Sequence, residues 1–227
     1  MSTFFPKVLD LSHHNCGPSG DPDDPIDFAA VAAFGVKGII HKASQGVSIR
    51  DKKYGERRRD AVAAGLLWGA YHFATGDDAD AQVKWFLECA QPDAQTLIAL
   101  DHEPNGGNEL DAPGARAWLE SCRDQAGGRM PKFYSGSLIK QQNPGISDDD
   151  RVFFAAVPWW LCQYGNTAVL TDYNHNPMPW QNYWLWQFAG DGTNSHGIQV
   201  PGIFAGSKVD MNLFDGSDED LAATWAA

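Results

Sequence analysis

Two carboxylates separated by one residue, Asp101-His102-Glu103, follow the apolar run Leu97-Ile98-Ala99-Leu100. If that run is a strand, residues i and i+2 project to the same side roughly 6.5–7 Å apart, so both carboxyls can address one substrate. Glycoside hydrolysis needs such a pair: one protonated carboxyl delivers a proton to the leaving oxygen, and a second group stabilises or captures the oxocarbenium-like centre. Asp10 and Asp210 also end apolar runs. Like charges crowded around Glu103 would raise its proton affinity and keep it an acid near neutral pH.

Polar residues end the other apolar runs too. Ser12 comes after Val8 and Leu9, Lys42 follows Ile39-Ile40, Tyr71 and His72 close 66–73, and Tyr134 closes 131–135. Gln163 with Tyr164, then Gln187, then Asn212 beside Asp210 close the remaining three. A single such residue is explained by turn and cap chemistry, but eight ends in succession need a common cause. Carboxylates for acid/base work, aromatic faces for sugar rings and amides for hydroxyls converge in a carbohydrate site. Among the tryptophans, alternation should bring some of Trp159, Trp160, Trp184 and Trp186 to the rim, with Trp186 a substrate contact, whereas Trp85 and Trp118 lie on helical apolar faces and should be core. His13, His14, His72 and His102 raise the question of zinc, but adjacent histidines on an extended strand point to opposite faces and share a metal poorly. His72, inside an apolar run, is expected to be a hydrogen-bonded core or supporting residue. No metal and no cofactor is expected.

The elements that must position these residues alternate as short strand-like runs and amphipathic helical stretches, the pattern of a mostly parallel α/β fold. The eight runs are 7–11, 38–42, 66–73, 96–101, 131–135, 158–164, 183–188 and 207–212. Helical spacing i, i+3, i+4, i+7 joins Val83, Phe86, Leu87 and Ala90, and again Ala115, Trp118, Leu119 and Cys122. Asp111 before Pro113 reads as an N-cap, Gly127-Gly128 as a stop, and Gly65 as the end of a helix over about 53–64. Residues 165–181 carry prolines and Asn/Asp without a helical period. These signals predict one domain over 1–227, an irregular TIM-like (β/α)5(β)3 barrel in which helices cover the first five strands and loops join the last three. In such a barrel the site lies at the carboxyl ends of the strands.

The totals narrow the functional classes. Twenty-nine acidic against seventeen basic side chains give a net charge of −12, which argues against nucleic acid as a partner. No apolar stretch approaches the ~18 residues of a membrane helix, so no membrane partner is expected, and residues 1–7 show no export signal. Cys16, Cys89, Cys122 and Cys162 lack CxxC spacing and are expected to be free thiols.

At these motifs the chain resembles the family 25 glycoside hydrolases, the Chalaropsis-type lysozymes. The resemblance runs through Leu9-Asp10-Leu11-Ser12, His41-Lys42-Ala43-Ser44-Gln45-Gly46, Gly69-Ala70-Tyr71-His72-Phe73, Leu100-Asp101-His102-Glu103, Phe133-Tyr134-Ser135, Trp160-Leu161-Cys162-Gln163-Tyr164, Trp184-Leu185-Trp186-Gln187-Phe188 and Val209-Asp210-Met211-Asn212-Leu213-Phe214. It implies hydrolysis of the β-1,4 bond between N-acetylmuramic acid and N-acetylglucosamine in peptidoglycan with retained configuration. Glu103 would be the general acid/base, and Asp101 the nucleophile or the residue orienting the substrate acetamido group. Asp10 and Asp210 would complete an acidic floor, and Tyr71 and Tyr134 would line the reactive subsite. The chain departs from the family at His13-His14-Asn15, where relatives commonly carry an aromatic residue and then Gln, and in the insertion 16–25. No separate wall-binding module is expected, and the protein is expected to act as a monomer, reaching the wall by phage-type release or secretion-system export. Two other readings remain open: a non-catalytic glycan-binding module on the same barrel, and a hydrolase of another N-acetylglucosamine polymer such as chitin.

Overall fold

The computed structural model describes residues 4–227, so the first three positions of the segment read for an export signal lie outside it. Eight strands close into a barrel: β1 (Val8–Leu11), β2 (Gly38–Gln45), β4 (Leu67–Phe73), β5 (Leu97–His102), β6 (Lys132–Ser135), β7 (Trp159–Cys162), β8 (Leu185–Ala189) and β9 (Asp210–Leu213). The order is β1-β9-β8-β7-β6-β5-β4-β2, closed by a parallel β1–β2 pairing. Only β9 runs antiparallel to its barrel neighbours, β1 and β8. The short β3 (Ile49–Arg50) folds back on the end of β2 as a hairpin; it is two exposed residues without an apolar run, so no periodicity announces it.

Helices cross over after the first five barrel strands. They are α1 (Phe28–Phe34), α2 (Tyr54–Ala63), α3 (Ala79–Ala90), α4 (Ala112–Gln125), and the pair α5 (Ser137–Gln142) and α6 (Asp148–Ala155). Residues 163–184 then join β7 to β8, and 190–209 join β8 to β9, without a helix. This is the (β/α)5(β)3 arrangement expected. The caps follow the signals: Asp111 accepts from the Gly114 amide at 2.8 Å ahead of α4, with Pro113 in the first turn, where its missing N–H costs nothing. Gly65 and Gly127 end α2 and α4 with φ of 81° and 74°, which only glycine adopts cheaply. No described helix is long and apolar enough to cross a membrane.

Alternation along the strands divides the core in two. Outward side chains, among them Leu9, Ile39, Ile98, Phe133 and Phe188, pack under the helices. Inward side chains Val8, Ile40, Leu97, Ala99, Trp160 and Leu185 fill the lower lumen, which Leu221 and Trp225 of the C-terminal helix α7 (Asp218–Trp225) plug from below. Glycine at position 38 makes the plug possible, because a Cβ there would lie 2.6 Å from the Trp225 ring. Trp225 also donates from Nε1 to the Trp68 carbonyl at 2.8 Å. Trp118 is buried on α4 as expected, but Trp85 is not core. It sits half-exposed at the edge of α3, donating to the Ile49 carbonyl at 3.0 Å beneath the Arg50 guanidinium, because the β3 hairpin that covers it is too short to bury it.

Candidate active site

The four carboxylates singled out in the sequence meet at the carboxyl ends of the parallel strands. Asp10 comes from β1, Asp101 and Glu103 from the end of β5, and Asp210 from β9, where it stands in register opposite Asp10. With Tyr71, Tyr134, Trp160, Tyr164 and Asp191 they line a cavity of about 100 Å³. Along β5 the intervening His102 points outward, where its ring contacts the Ser135 hydroxyl at 3.1 Å and the Leu110 carbonyl at 2.9 Å. That outward anchor fixes the strand end, so Asp101 and Glu103 face the same way.

Asp10 is held by amides. Gln187 Nε2 donates to both of its oxygens at 3.0 and 3.1 Å, and Asn212 Nδ2 donates to Oδ2 at 2.7 Å. The clamp is itself braced: Tyr134 donates its hydroxyl hydrogen to Gln187 Oε1 at 2.9 Å, the Cys162 thiol does so at 3.2 Å, and Trp160 Nε1 donates to Asn212 Oδ1 at 2.6 Å. Burial still outweighs these bonds and lifts Asp10 to about 6. Asp101 has no such clamp. Burial, then the Glu103 charge, push its carboxyl well above the usual range, opposed by Lys42, and its buried Oδ1 has no protein partner. A buried oxygen without a partner is costly unless a ligand supplies one.

Glu103 is raised to about 7, by burial first and then by the charges of Asp10 and Asp191, with Lys42 pulling the other way. Asp210 is raised to about 9 by burial and by Asp10, although the Asp191 amide donates to it at 3.2 Å. The chamber therefore holds carboxyls of graded proton affinity around neutral pH, the condition for separating an acid from a carboxylate within one site. Burial, more than the crowd of charges, raises Glu103. Among the charges Asp191 acts where Asp101 and Asp210 were expected.

Asp191 is the residue the strand-end pattern missed, because it lies in the Gly190-Asp191-Gly192 turn of the β8–β9 loop. Its φ of 51° sits in the left-handed region, where Asp is among the few tolerated side chains. At Gly190 a Cβ would come within 2.4 Å of the Tyr164 hydroxyl and 2.5 Å of Asp210 Oδ1, so glycine there is what lets the loop close on the chamber.

Other expected contacts lie off the cavity. Lys42 acts on the chamber by charge; its Nζ donates to Gln45 at 2.7 Å and lies over the Phe73 ring. Gln187 lies behind the wall as half of the Asp10 clamp, with both ends of its amide already bonded. Trp186 is a correction: the residue between the inward Leu185 and Gln187 must point outward, and it packs against Phe4, Tyr183 and Phe188 while donating to the Gln163 carbonyl at 2.7 Å. Gln163, one step past the inward Cys162, likewise turns away and accepts from Lys140 of α5. Ser12 spends its hydroxyl on the His14 amide and its carbonyl on Arg57. His72 is buried between Ser44 and Gln82 as a supporting residue, and burial lowers it to about 4. His13 and His14 lie in a turn, not on a strand, and their tilted rings lie with centroids 3.9 Å apart, so alternation does not separate them.

The comparisons agree with this fold. The model of the glycosyl hydrolases family 25 matches residues 10–197. The chain is 24% identical to Lysozyme M1 of Streptomyces globisporus over 211 residues, 87% of this chain and 66% of the relative. It is 25% identical to the N,O-diacetylmuramidase of Arthroderma benhamiae over 180 residues, 73% and 75% of the two chains. The Escherichia coli O157:H7 protein YegX, described as uncharacterized, is 29% identical over 209 residues, 87% and 68% of the two. In three dimensions the bacterial lysozyme from Streptomyces coelicolor superposes with a TM-score of 0.77 over 99% of both chains at 22% identity, which establishes a shared fold. The barrel, the acidic chamber at its mouth and a family match over residues 10–197 place the chain in family 25 of the glycosyl hydrolases, so it is a glycoside hydrolase.

Proposed function

We propose that the protein is a lysozyme-type muramidase that cleaves the β-1,4 bond between N-acetylmuramic acid and N-acetylglucosamine in peptidoglycan, with retention, and that Glu103 is its general acid/base. The observation that carries the reading is Glu103 itself, held near pH 7 by burial at the carboxyl end of β5 beside a second carboxyl with a free oxygen. Relatives named as a lysozyme and an N,O-diacetylmuramidase support peptidoglycan as the substrate.

In the first step the protonated Glu103 carboxyl gives its proton to the glycosidic oxygen as the bond from that oxygen to C1 breaks. The unpartnered Oδ1 of Asp101 accepts the N–H of the 2-acetamido group and turns that group's carbonyl oxygen onto C1, which it attacks from the opposite face. The Asp101 oxygen without a protein partner is free to take that N–H, which supports this role. In the second step Glu103, now a carboxylate, takes a proton from water as that water attacks C1 and displaces the acetamido oxygen, so the C1 bond to that oxygen breaks, the acetamido group is regenerated and the two inversions leave the configuration retained. Asp10, clamped by two amides, contributes charge that keeps Glu103 protonated before the first step. Tyr71, Tyr134 and Tyr164 provide the walls against which the sugar rings lie.

The test is digestion of purified peptidoglycan followed by borohydride reduction and mass spectrometry. Reduced muramic acid at the new ends is expected. Reduced glucosamine ends, cleavage of chitin alone, or wall binding without cleavage would each overturn the reading. A covalent adduct on Asp101 in rapidly quenched protein would make Asp101 the nucleophile instead.

A further inference from the structure

Beside the chamber lies a second, open cleft of about 390 Å³ whose side chains include His13, His14, Lys52, Cys16 and Phe204 but no carboxylate. That is unusual on a chain with a net charge of −12. The cleft is built. Two of its three segments, the loops that follow β1 and precede β9, are tied by Phe204 N to the Cys16 carbonyl at 3.0 Å, Asn15 Nδ2 to the Ser207 carbonyl at 3.0 Å, and Cys16 N to the Ser207 hydroxyl at 3.4 Å, and Lys52 comes from the turn after β3. Phe204 lies over Gly20, where a Cβ would come within 3.0 Å of the ring. His13 is anchored twice on the buried Asp51, from its backbone amide and from Nδ1, both at 2.9 Å.

With Nδ1 held by Asp51, Nε2 is the ring nitrogen of His13 left for a ligand. His14, its ring centroid 3.9 Å from that of His13, and Lys52 offer donors, and Phe204 is an exposed apolar face. Ring nitrogens, an ammonium and an apolar face within one cleft match a short peptide that carries free carboxylates. The cleft also lies alongside the chamber: its loops continue directly from Asp10 and Asp191, and the charge of Lys42 is felt by both His14 and Glu103.

We propose that this cleft binds the carboxylate-bearing stem peptide attached to the muramoyl residue, so that the protein favours peptide-bearing strands over bare glycan. The proposal rests on the muramidase reading. It is tested with purified peptidoglycan and the same polymer stripped of its peptides by an amidase, digested by wild type and by the double variant His14→Gln/Lys52→Gln, whose fold is checked by circular dichroism. Wild type is expected to show a KM about tenfold lower on peptide-bearing strands, and the variant a ratio near one. Equal KM values for wild type, or an unchanged ratio in the variant, would overturn the proposal. If wild type cuts neither polymer, the muramidase reading falls by itself. The cleft is then judged by titrating a free stem tripeptide while following the imidazole resonances: shifts at His13 and His14 in wild type, with the His13 shift lost in the variant, support it, and their absence in wild type or an undiminished His13 shift in the variant overturns it.

Discussion

The lower and upper halves of the barrel lumen come from the same strands, two residues apart. Val8, Ile40, Ala99, Trp160 and Leu185 form the lower layer with Trp225, and Asp10, Lys42, Asp101, Cys162 and Gln187 stand two positions further along the same strands. The lower layer is closed by apolar contact, which stabilises it roughly in proportion to the area removed from water. The upper layer gathers buried carboxyls around Lys42, an arrangement that opposes folding and is retained where charge must be managed. A residue's height in the lumen thus decides whether it contributes stability or chemistry, and the two layers should respond to substitution in opposite ways.

The sharpest contrast is expected at Asp101. Asp101→Asn keeps the shape but replaces the carboxyl by an amide that cannot ionise as positive charge develops on the acetamido group, and kcat should fall about 10²–10⁴-fold with little loss of fold. Steady-state kinetics beside a melting curve would show this, and a variant that unfolds would place Asp101 with the structural layer. In the lower layer Trp225→Ala should cost about 3–5 kcal/mol of stability, because it empties the plug under Gly38. Urea unfolding measures it, and a loss below about 1 kcal/mol would mean that α7 does not seal the barrel.

Gln187→Leu tests the join between the layers. It removes two bonds to Asp10 and strands the Tyr134 hydroxyl, costing about 1–3 kcal/mol. Because those bonds lower the proton affinity of Asp10, the variant's Asp10 should protonate more readily and lift Glu103 less. The basic limb of the activity profile should then move to lower pH, and a limb that stays in place would mean that Asp10 does not tune Glu103.

The smallest effect expected is a gain. Asp10, Glu103 and Asp210 are all raised by burial, so the folded state binds their protons more tightly than the unfolded state does. By linkage, stability falls as pH rises from their ordinary values of 3.8–4.5 toward about 9. Asp210→Asn should therefore raise stability at pH 8 by about 0.5–2 kcal/mol while reducing activity. Calorimetry at pH 5 and pH 8 should find the gain at the higher pH, and a loss at pH 8 would contradict the reading of Asp210 as a strained acid.

Most of the barrel was legible because its strands are apolar runs ended by polar residues, and each of the eight runs overlaps a barrel strand. The run 207–212 overshoots, since Lys208 takes a left-handed turn and β9 begins only at Asp210. Asp10, Asp101 and Glu103 could be read from strand ends because the parallel topology collects those ends at one mouth, whereas Asp210 opens the antiparallel β9 and reaches the same mouth from a strand's beginning. Strand-end position alone does not say which way a side chain faces, and that misplaced Trp186 and Gln163 while Gln187 moved behind the wall. Asp191 was hidden for the opposite reason: it reaches the chamber from a loop with no period, in a glycine turn that resembles any other. The cleft at His13 and His14 joins two loops distant in sequence, and only the closed barrel brings them together.

The most direct test of the central claim is the pH dependence of kcat/KM on peptidoglycan for the wild type and Glu103→Gln. If Glu103 is the proton donor, wild-type activity falls above a basic limb near the value of about 7 to which burial lifts that residue, and Glu103→Gln loses about 10²–10⁴-fold together with the limb. A variant that keeps both its activity and its basic limb would show that another group delivers the proton.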